Sequence, residues 1–388
     1  MSAFGRYVSF ESDGRRLVPG DTNKARDIFV RDTRRGITTR VSVDSFGVEG
    51  NADSEYAQIS SNGRFVVFQS RANNLVAGDT NGRQDIFVHD LLTGATERVS
   101  VSSTGSEGDA DSWLPQISET GRFIAFQSMA SNLVAGDTNG TVDVFVRDRK
   151  HGTTIRVSVD SAGNQASGSA PDISGDGHVV CFVSNSPNLV PGDTNGRADT
   201  FVHDLITGET TRVSVSSSGA QAVGGLSVTN AISGDGRYVV FSSTATNLVP
   251  DDTNARIDVF LHDRVTGTTT RVSVSSTGAE SPDGAWYPNI SDDGRYVVFK
   301  SPGSNLVPVD LNGPGLDIFV HDVRTGATRL VSRDSHGVQA NNFASQPTIS
   351  PDGRYVAFYS SADNLVPEDQ NGKVRDVFLH SISPVRDL

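Results

Sequence analysis

Short apolar segments alternate with glycine-containing turns along the whole chain. In one copy of the pattern, segments rich in Val, Ile, Phe or Thr cover 57–60, 64–70, 85–89 and 96–101. The first two are joined by Asn62-Gly63, a dipeptide typical of tight hairpins in which both central residues have positive φ. The last two are joined by Thr93-Gly94. The pattern therefore predicts a four-stranded antiparallel meander.

This unit is repeated along the chain. The tripeptide Gly-Arg-aromatic, or Gly-His-Val in one copy, recurs every 56–59 residues, at Gly5, Gly63, Gly121, Gly177, Gly236, Gly294 and Gly353. The second and third strands are apolar on both faces, so each sheet must lie between two neighbours. Radial repetition of blades satisfies this requirement, whereas linear solenoids usually have shorter units. We predict an all-β, seven-bladed β-propeller of four-stranded antiparallel blades, forming a single domain over residues 1–388.

The two terminal repeats lack one strand each. A complete first strand occurs six times and a fourth strand six times, because the chain starts at the end of a first strand and stops shortly after a third. We expect blade 1 to lack its inner strand and blade 7 its outer strand. Truncation of a longer natural chain would explain both, and also the absence of a signal peptide at Met1–Arg6.

The repeat carries a family resemblance. Ile349-Ser-Pro-Asp-Gly-Arg-Tyr-Val-Ala-Phe358, followed by Asp376-Val-Phe-Leu-His380, resembles the TolB-type, WD40-like β-propeller repeat. The resemblance covers essentially the whole chain and implies the fold. Propellers of this type serve as partner-binding modules, as accessory domains of peptidases and, less often, as polysaccharide lyases.

Composition narrows the range of functions. The net charge of −13 argues against nucleic-acid binding, since the chain would repel a phosphate backbone. No window approaches 18 consecutive apolar residues, so no membrane-spanning helix is predicted, and the single Cys excludes an internal disulfide. The chain favours a secreted protein, extracellular or periplasmic, and leaves its oligomeric state open.

The loop between the second and third strands is acidic in every repeat. Its complete form, Asp-x-Asn-Gly-x-x-Asp, occurs at Asp79, Asn81 and Asp85, at Asp137, Asn139 and Asp143, and at Asp193, Asn195 and Asp199. The sixth and seventh copies have one extra residue, with Asp310, Asn312 and Asp317, then Asp369, Asn371 and Asp376. The first and fifth replace the Gly with Lys24 and Ala255.

Two interpretations of this loop stay open. Carboxylate and amide oxygens around a tight turn are ligands that Ca²⁺ prefers, and the pattern resembles the second half of the calcium loops of integrin-type propellers and EF-hands. The pattern lacks the first acidic residue of those calcium loops, so the affinity for Ca²⁺ should be weak. Under this interpretation the second, third and fourth copies should bind best. Alternatively, Asp and Asn cap their own backbone in Asx turns, and the loop needs no metal.

A unique ligand site must arise where the copies differ. They differ most in the connections from the fourth strand to the next first strand, which should rim the central channel. Aromatic residues lie in or beside these connections, and the candidates for ligand binding are Tyr56, Trp113, Trp286 and Tyr287. Exposed aromatics beside acids and amides suit a glycan or a protein partner. Alternatively, these aromatic side chains fill the central channel as part of the hydrophobic core.

No catalytic motif is found in the chain. There is no nucleophile elbow, phosphate-binding glycine loop, zinc signature or unique Ser/His/Asp set. His89, His203, His262, His321 and His380 recur at one strand position, which indicates a structural role. The recurring Arg of Gly-Arg-aromatic is expected to pack against the next blade. The sequence favours a non-catalytic binding or scaffold module; the alternative is a polysaccharide lyase or hydrolase acting in the channel.

Overall fold

The computed structural model describes residues 1–225, 227–313, 315–367, 369 and 371–382. These residues form 26 β-strands and one 3-10 helix of three residues, Ala3–Gly5. The strands make seven antiparallel sheets, so the prediction of an all-β, seven-bladed propeller is confirmed. No helix within the described ranges is long and apolar enough to cross a membrane.

Each sheet is a meander whose strands follow chain order. Blades 1 to 4 contain β1 Tyr7–Ser12, β2 Asp27–Asp32, β3 Ile37–Arg40; β4 Ser54–Ile59, β5 Phe65–Ser70, β6 Asp85–Asp90, β7 Thr96–Arg98; β8 Ser112–Ile117, β9 Phe123–Ser128, β10 Asp143–Asp148, β11 Thr153–Arg156; and β12 Ser169–Ile173, β13 Val179–Ser184, β14 Asp199–Asp204, β15 Thr210–Arg212. Blades 5 to 7 contain β16 Ser227–Ile232, β17 Tyr238–Ser243, β18 Asp258–Asp263, β19 Thr268–Arg271; β20 Trp286–Ile290, β21 Tyr296–Ser301, β22 Asp317–Asp322, β23 Ala327–Leu330; and β24 Ala344–Ile349, β25 Tyr355–Ser360, β26 Asp376–Ser381. Among the described residues, the first and last sheets have three strands and the other five have four.

The described residues group into two compact units. Unit 1 is Met1–Asp193 with Phe201–Thr211, and unit 2 is Thr194–Thr200 with Arg212–Leu388. The fourth sheet contributes residues to both. That the chain forms one continuous domain stays a prediction.

Within each unit the core lies between adjacent sheets. In unit 1, Ile86 and Val88 of blade 2 pack with Ile124 and Phe126 of blade 3, and all four are at most 1% exposed. Apolar residues on both faces of the second and third strands therefore find partners on both sides, as the sequence pattern requires.

Two local predictions were wrong. In the turn at Asn62-Gly63 only the glycine has positive φ, and the Gly63 N–H donates to the Ser60 carbonyl at 2.8 Å, so the turn is not the two-residue hairpin expected. The Asn62 carboxamide instead accepts the Arg64 N–H at 3.0 Å. The Arg64 side chain also stays in its own blade, where Nε and Nη2 donate to Asp90 at 2.9 and 2.7 Å.

Candidate functional site

An arginine lies among the carboxylates of the acidic loop. In blade 2, Nη1 of Arg98 is 3.2 Å from Oδ1 of Asp79 and 3.3 Å from Oδ2 of Asp85. It is also 2.9 Å from Oε2 of Glu107, which belongs to the connection that leads to the next blade. The Arg98 side chain is only 10% exposed. A guanidinium therefore lies among the acids that a Ca²⁺ ion would contact under the first of the two interpretations of this loop.

The arrangement recurs in the other blades. The fourth strand supplies the arginine, and Nη1 lies 3.4–3.8 Å from the Asp that begins the third strand, in the pairs Arg40–Asp27, Arg156–Asp143, Arg212–Asp199 and Arg271–Asp258. In blades 1 and 5, Glu49 and Glu280 complete groups of three carboxylates. Burial raises the pKa of Asp252 in blade 5 to about 6. The arginine reduces the cost of burying these acids.

The asparagines of the complete loops are engaged in turn contacts. In blade 2, Oδ1 of Asn81 accepts the Arg83 N–H at 2.8 Å, and Nδ2 donates to Asp85 at 2.9 Å. Asn139 and Asn195 make the same pair of contacts in blades 3 and 4. These are Asx-turn contacts, and they use the amide oxygen that a metal ion would need.

Blade 6 departs from this arrangement. Its register aligns Leu330 with Phe319, in the place where Arg98 aligns with Phe87 in blade 2. The Gln339 Nε2 donates to Asp310 at 2.9 Å and to Asp317 at 3.0 Å instead. Among the described residues no cationic side chain forms an ion pair with these two acids. Burial raises the pKa of Asp317 to about 6.

Blade 7 also lacks the arginine, because its sheet has no fourth strand among the described residues. Nδ2 of Asn371 donates to Asp376 at 3.2 Å, and the Asn371 N–H donates to Asp369 at 3.1 Å. The acidic loops thus fall into two classes. Blades 1 to 5 hold an internal guanidinium, whereas the described residues place none at the acidic loops of blades 6 and 7.

Neither the arginine of these clusters nor the third acid of blades 1, 2 and 5 was predicted from the sequence. A signal was present, because Arg98 follows Asp79 by 19 residues and Glu107 follows it by 28. The same two spacings recur in the first and fifth copies, at Arg40 and Glu49 and at Arg271 and Glu280. A cation and an acid that keep a fixed distance from an acidic loop through several repeats indicate an ion-pair cluster.

The four aromatic candidates lie on first strands. Tyr56 on β4 and Tyr287 on β20 both have positive φ, 54° and 57°, and occupy β-bulges. Tyr56 is 51% exposed and Tyr287 42% exposed. Trp113 on β8 and Trp286 on β20 are half-buried. A bulge can change the direction of a side chain relative to the pleat, and these two tyrosines are the more exposed of the four aromatic candidates.

In unit 2 a lysine joins two of these aromatics. Nζ of Lys300, on β21, lies 4.4 Å from the ring centroid of Tyr287 and 5.8 Å from that of Trp286, within cation–π range. It also donates to the Ser345 hydroxyl at 3.1 Å. Burial lowers the pKa of Lys300. The equivalent second-strand position holds Glu11, Gln69, Gln127, Val183, Ser242 and Tyr359 in the other blades, so this group is unique to blade 6.

The neighbouring blade extends the same kind of surface. Phe343 and Tyr359 pack edge to face with ring centroids 6.3 Å apart. The guanidinium of Arg375 lies 5.6 and 5.2 Å from the two ring centroids. Unit 2 therefore presents two clusters of aromatic rings, each with a cation. We refer to Trp286, Tyr287, Lys300 and Ser345 as the lysine–aromatic cluster.

Four of the five recurrent histidines contact a threonine of their own blade, whereas the fifth, His380, is half-buried and hydrogen-bonds the Arg333 backbone. Nδ1 of His89 is 2.8 Å from the Thr96 hydroxyl, which donates to the Val43 carbonyl at 2.6 Å. His203, His262 and His321 make the same threonine contact. Burial lowers the pKa of His89. These four rings are buried and held by structural partners.

Comparison with known proteins identifies the fold. No protein-family model and no curated protein matches the chain. Oligogalacturonate lyase from Vibrio parahaemolyticus is 12% identical with a TM-score of 0.57, over 98% of this chain and 87% of that one. Oligogalacturonate lyase in complex with manganese is 13% identical with a TM-score of 0.56, over 97% and 86%. TolB from Acinetobacter baumannii is 15% identical with a TM-score of 0.42, over 78% of this chain and 58% of that one.

The chain has a TolB-like β-propeller fold. At these identities the likeness to each solved structure concerns the fold alone. The chain spans 58% of the length of the Acinetobacter protein. A shared fold does not by itself transfer the activity of a solved structure to this chain.

Proposed function

We propose that the chain is a non-catalytic recognition module and that the lysine–aromatic cluster of unit 2 is its ligand-binding surface. The observation that carries this proposal is the uniqueness of the cluster. The ion pairs and histidine contacts recur from blade to blade and stabilise the repeat, whereas Lys300 and its two aromatic neighbours occur once.

The chemistry of the cluster indicates the class of ligand. Exposed aromatic faces bind the apolar face of a sugar ring or an apolar side chain, and a half-buried ammonium attracts a carboxylate. The ligand is therefore a glycan or a protein segment that carries an acidic group. The two lyases similar in fold are named for an acidic oligosaccharide, which makes oligogalacturonate the first ligand to test. Binding of such a ligand also suits a periplasmic or extracellular protein.

The test compares matched bulge positions. Tyr287→Leu introduces the residue that Leu114 supplies at the same bulge position of blade 3, and Lys300→Gln introduces the residue that Gln69 supplies in blade 2. Binding to an array of acidic and neutral glycans and acidic peptides should fall at least about tenfold in both variants, whereas the control Tyr56→Leu should bind normally.

Two results would contradict the proposal. Equal binding by wild type and both variants would exclude the cluster as the binding surface. Release of unsaturated sugars from oligogalacturonate would favour the alternative, in which the chain is a polysaccharide lyase.

Calcium binding remains a proposal, and the geometry changes the expected order of the sites. The second, third and fourth loops already hold a guanidinium, so we place the blade 6 loop first, at Asp310, Asn312 and Asp317. Its two acids have no ion-pair partner among the described residues, and Oδ1 of Asn312 is buried without a hydrogen-bond donor. A Ca²⁺ titration by calorimetry should lose its signal in Asp317→Asn and keep it in Asp85→Asn. The reverse result would favour the loop of blade 2.

A further inference from the structure

The outer edge of β26 is open in blade 7. Among the described residues no strand pairs with this edge, and β26 ends its sheet. Val377 is 46% exposed and Leu379 37% exposed, whereas the matching Ile318 and Val320 of blade 6 are at most 1% exposed. An unpaired strand edge with apolar side chains is a surface on which another strand can pair.

A groove of about 800 Å³ runs along this edge within unit 2. β26 forms one wall through Val377 and Leu379. The segment that follows the outer strand of blade 6 forms the other wall through Arg333 and Ser335. The groove therefore lies where the other blades have a fourth strand.

Those other blades show which contacts a fourth strand makes. In blade 5 the N–H of Val272 donates to the Val259 carbonyl at 2.9 Å, and the Val259 N–H donates to Oγ of Ser273 at 3.1 Å. The Ser273 hydroxyl donates to Asp258 at 2.7 Å, and Arg271 pairs with the same acid. The valine and serine contacts occur in all six fourth strands that the structure describes, and the arginine contact occurs in five.

Blade 7 presents the matching groups without these partners. Val377 occupies the same position in its strand pairing as Val259 in blade 5. Its N–H and C=O therefore face the groove, just as those of Val259 face β19. Asp376 has no arginine among the described residues, and Oδ2 of the nearby Asp369 is buried without a hydrogen-bond donor. At the other end His380 hydrogen-bonds the Arg333 backbone directly, where the other blades interpose a threonine hydroxyl.

We propose that β26 accepts an extended segment of a partner polypeptide as its fourth strand, and that this segment carries the pattern Thr-x-Arg-apolar-Ser. The arginine would pair with Asp376 and Asp369, and the serine hydroxyl would bind Asp376 and the Val377 N–H. The apolar residue would donate its N–H to the Val377 carbonyl. Main-chain hydrogen bonds provide affinity in this mode of recognition, and the charge pair provides selectivity.

The test uses a peptide with the sequence of residues 268–275, Thr-Thr-Thr-Arg-Val-Ser-Val-Ser, which is the fourth strand of blade 5. We expect saturable binding by fluorescence anisotropy and slower hydrogen exchange in the fragment 371–382. Replacing the peptide arginine with leucine should weaken binding at least about tenfold, since a charge-assisted contact is lost. Replacing the valine that follows the arginine with proline should abolish binding, because the N–H is removed.

Two controls keep the proposal falsifiable. Asp376→Asn in the protein should weaken the parent peptide more than the leucine peptide, because both keep the serine contact and only the parent loses its charge pair; this comparison does not depend on overall stability. No protection of 371–382 at millimolar peptide, or equal binding of all three peptides, would overturn the proposal. Protection of 371–382 by concentration-dependent dimerisation, without effect of the peptide, would also overturn it, since the occupant would then be a second copy.

Discussion

Leu330→Arg should stabilise the protein in a pH-dependent way. Blade 6 buries Asp317 beside the half-buried Asp310, and among the described residues neither has the guanidinium that Arg98 supplies in blade 2. Burial raises the pKa of Asp317 from 3.8 to about 6. At about 1.4 kcal/mol per pKa unit, ionised Asp317 destabilises the folded state by about 3 kcal/mol. An arginine at position 330 should recover about 1–3 kcal/mol of this energy.

The sign of the pH effect follows from the raised pKa. Below about pH 3.8 Asp317 is protonated in both the folded and the unfolded state, so it has no effect on stability. Between 3.8 and about 6 the unfolded state ionises while the folded state keeps its proton, and the destabilisation grows to its full value. The gain from Leu330→Arg should therefore rise over this range and stay constant above it.

Urea unfolding of wild type and Leu330→Arg at pH 4, 5.5 and 7.5 measures the effect. The matched control is Arg98→Leu, which should lose about 3 kcal/mol or more at pH 7.5 because it leaves buried acids unpaired. Equal or lower stability of Leu330→Arg at pH 7.5, or a gain that does not change with pH, would refute the reasoning about Asp317.

Three further predictions concern the repeat itself. Asp90→Asn should lower the free energy of unfolding by about 1–3 kcal/mol at pH 7, because it removes the ion pair with Arg64. The hydrogen bond from Arg64 holds the pKa of Asp90 well below its usual value, so the stabilisation by this ion pair should disappear at acid pH. Lys24→Gly should stabilise by about 1 kcal/mol because Lys24 has a φ of 62°, and Lys24→Ala should change little in a thermal melt. Gly121→Ala should destabilise strongly, since its Cβ would lie 2.3 Å from the Phe65 ring; a melting temperature equal to wild type would contradict this contact.

The sequence by itself determined the architecture. The recurrence of Gly-Arg-aromatic predicted seven blades, and the two-sided apolar strands predicted sheets stacked on both faces. These features follow from short-range periodicity, because alternation and turn residues act within a few positions of the chain. The acidic loops could also be recognised in the sequence. Whether they bind a metal ion or form Asx turns stayed open, since both interpretations use the same side-chain oxygens.

Only the tertiary structure decided which cation lies among the acids. Arg329 follows Asp310 by 19 residues, as Arg98 follows Asp79, so counting alone would place an arginine in the blade 6 cluster. The extra residue in that loop lengthens the spacing from Asp310 to the third strand, while the pairing of the third and fourth strands stays as in blade 2, so Leu330 and not Arg329 takes the position of Arg98. Register is set by hydrogen bonds between strands that are distant in sequence, and a slip of one residue turns each side chain to the opposite face. For the same reason the meeting of Lys300 with Tyr287 appears only in the folded chain, whereas the missing fourth strand of blade 7 was predicted from the count of repeats.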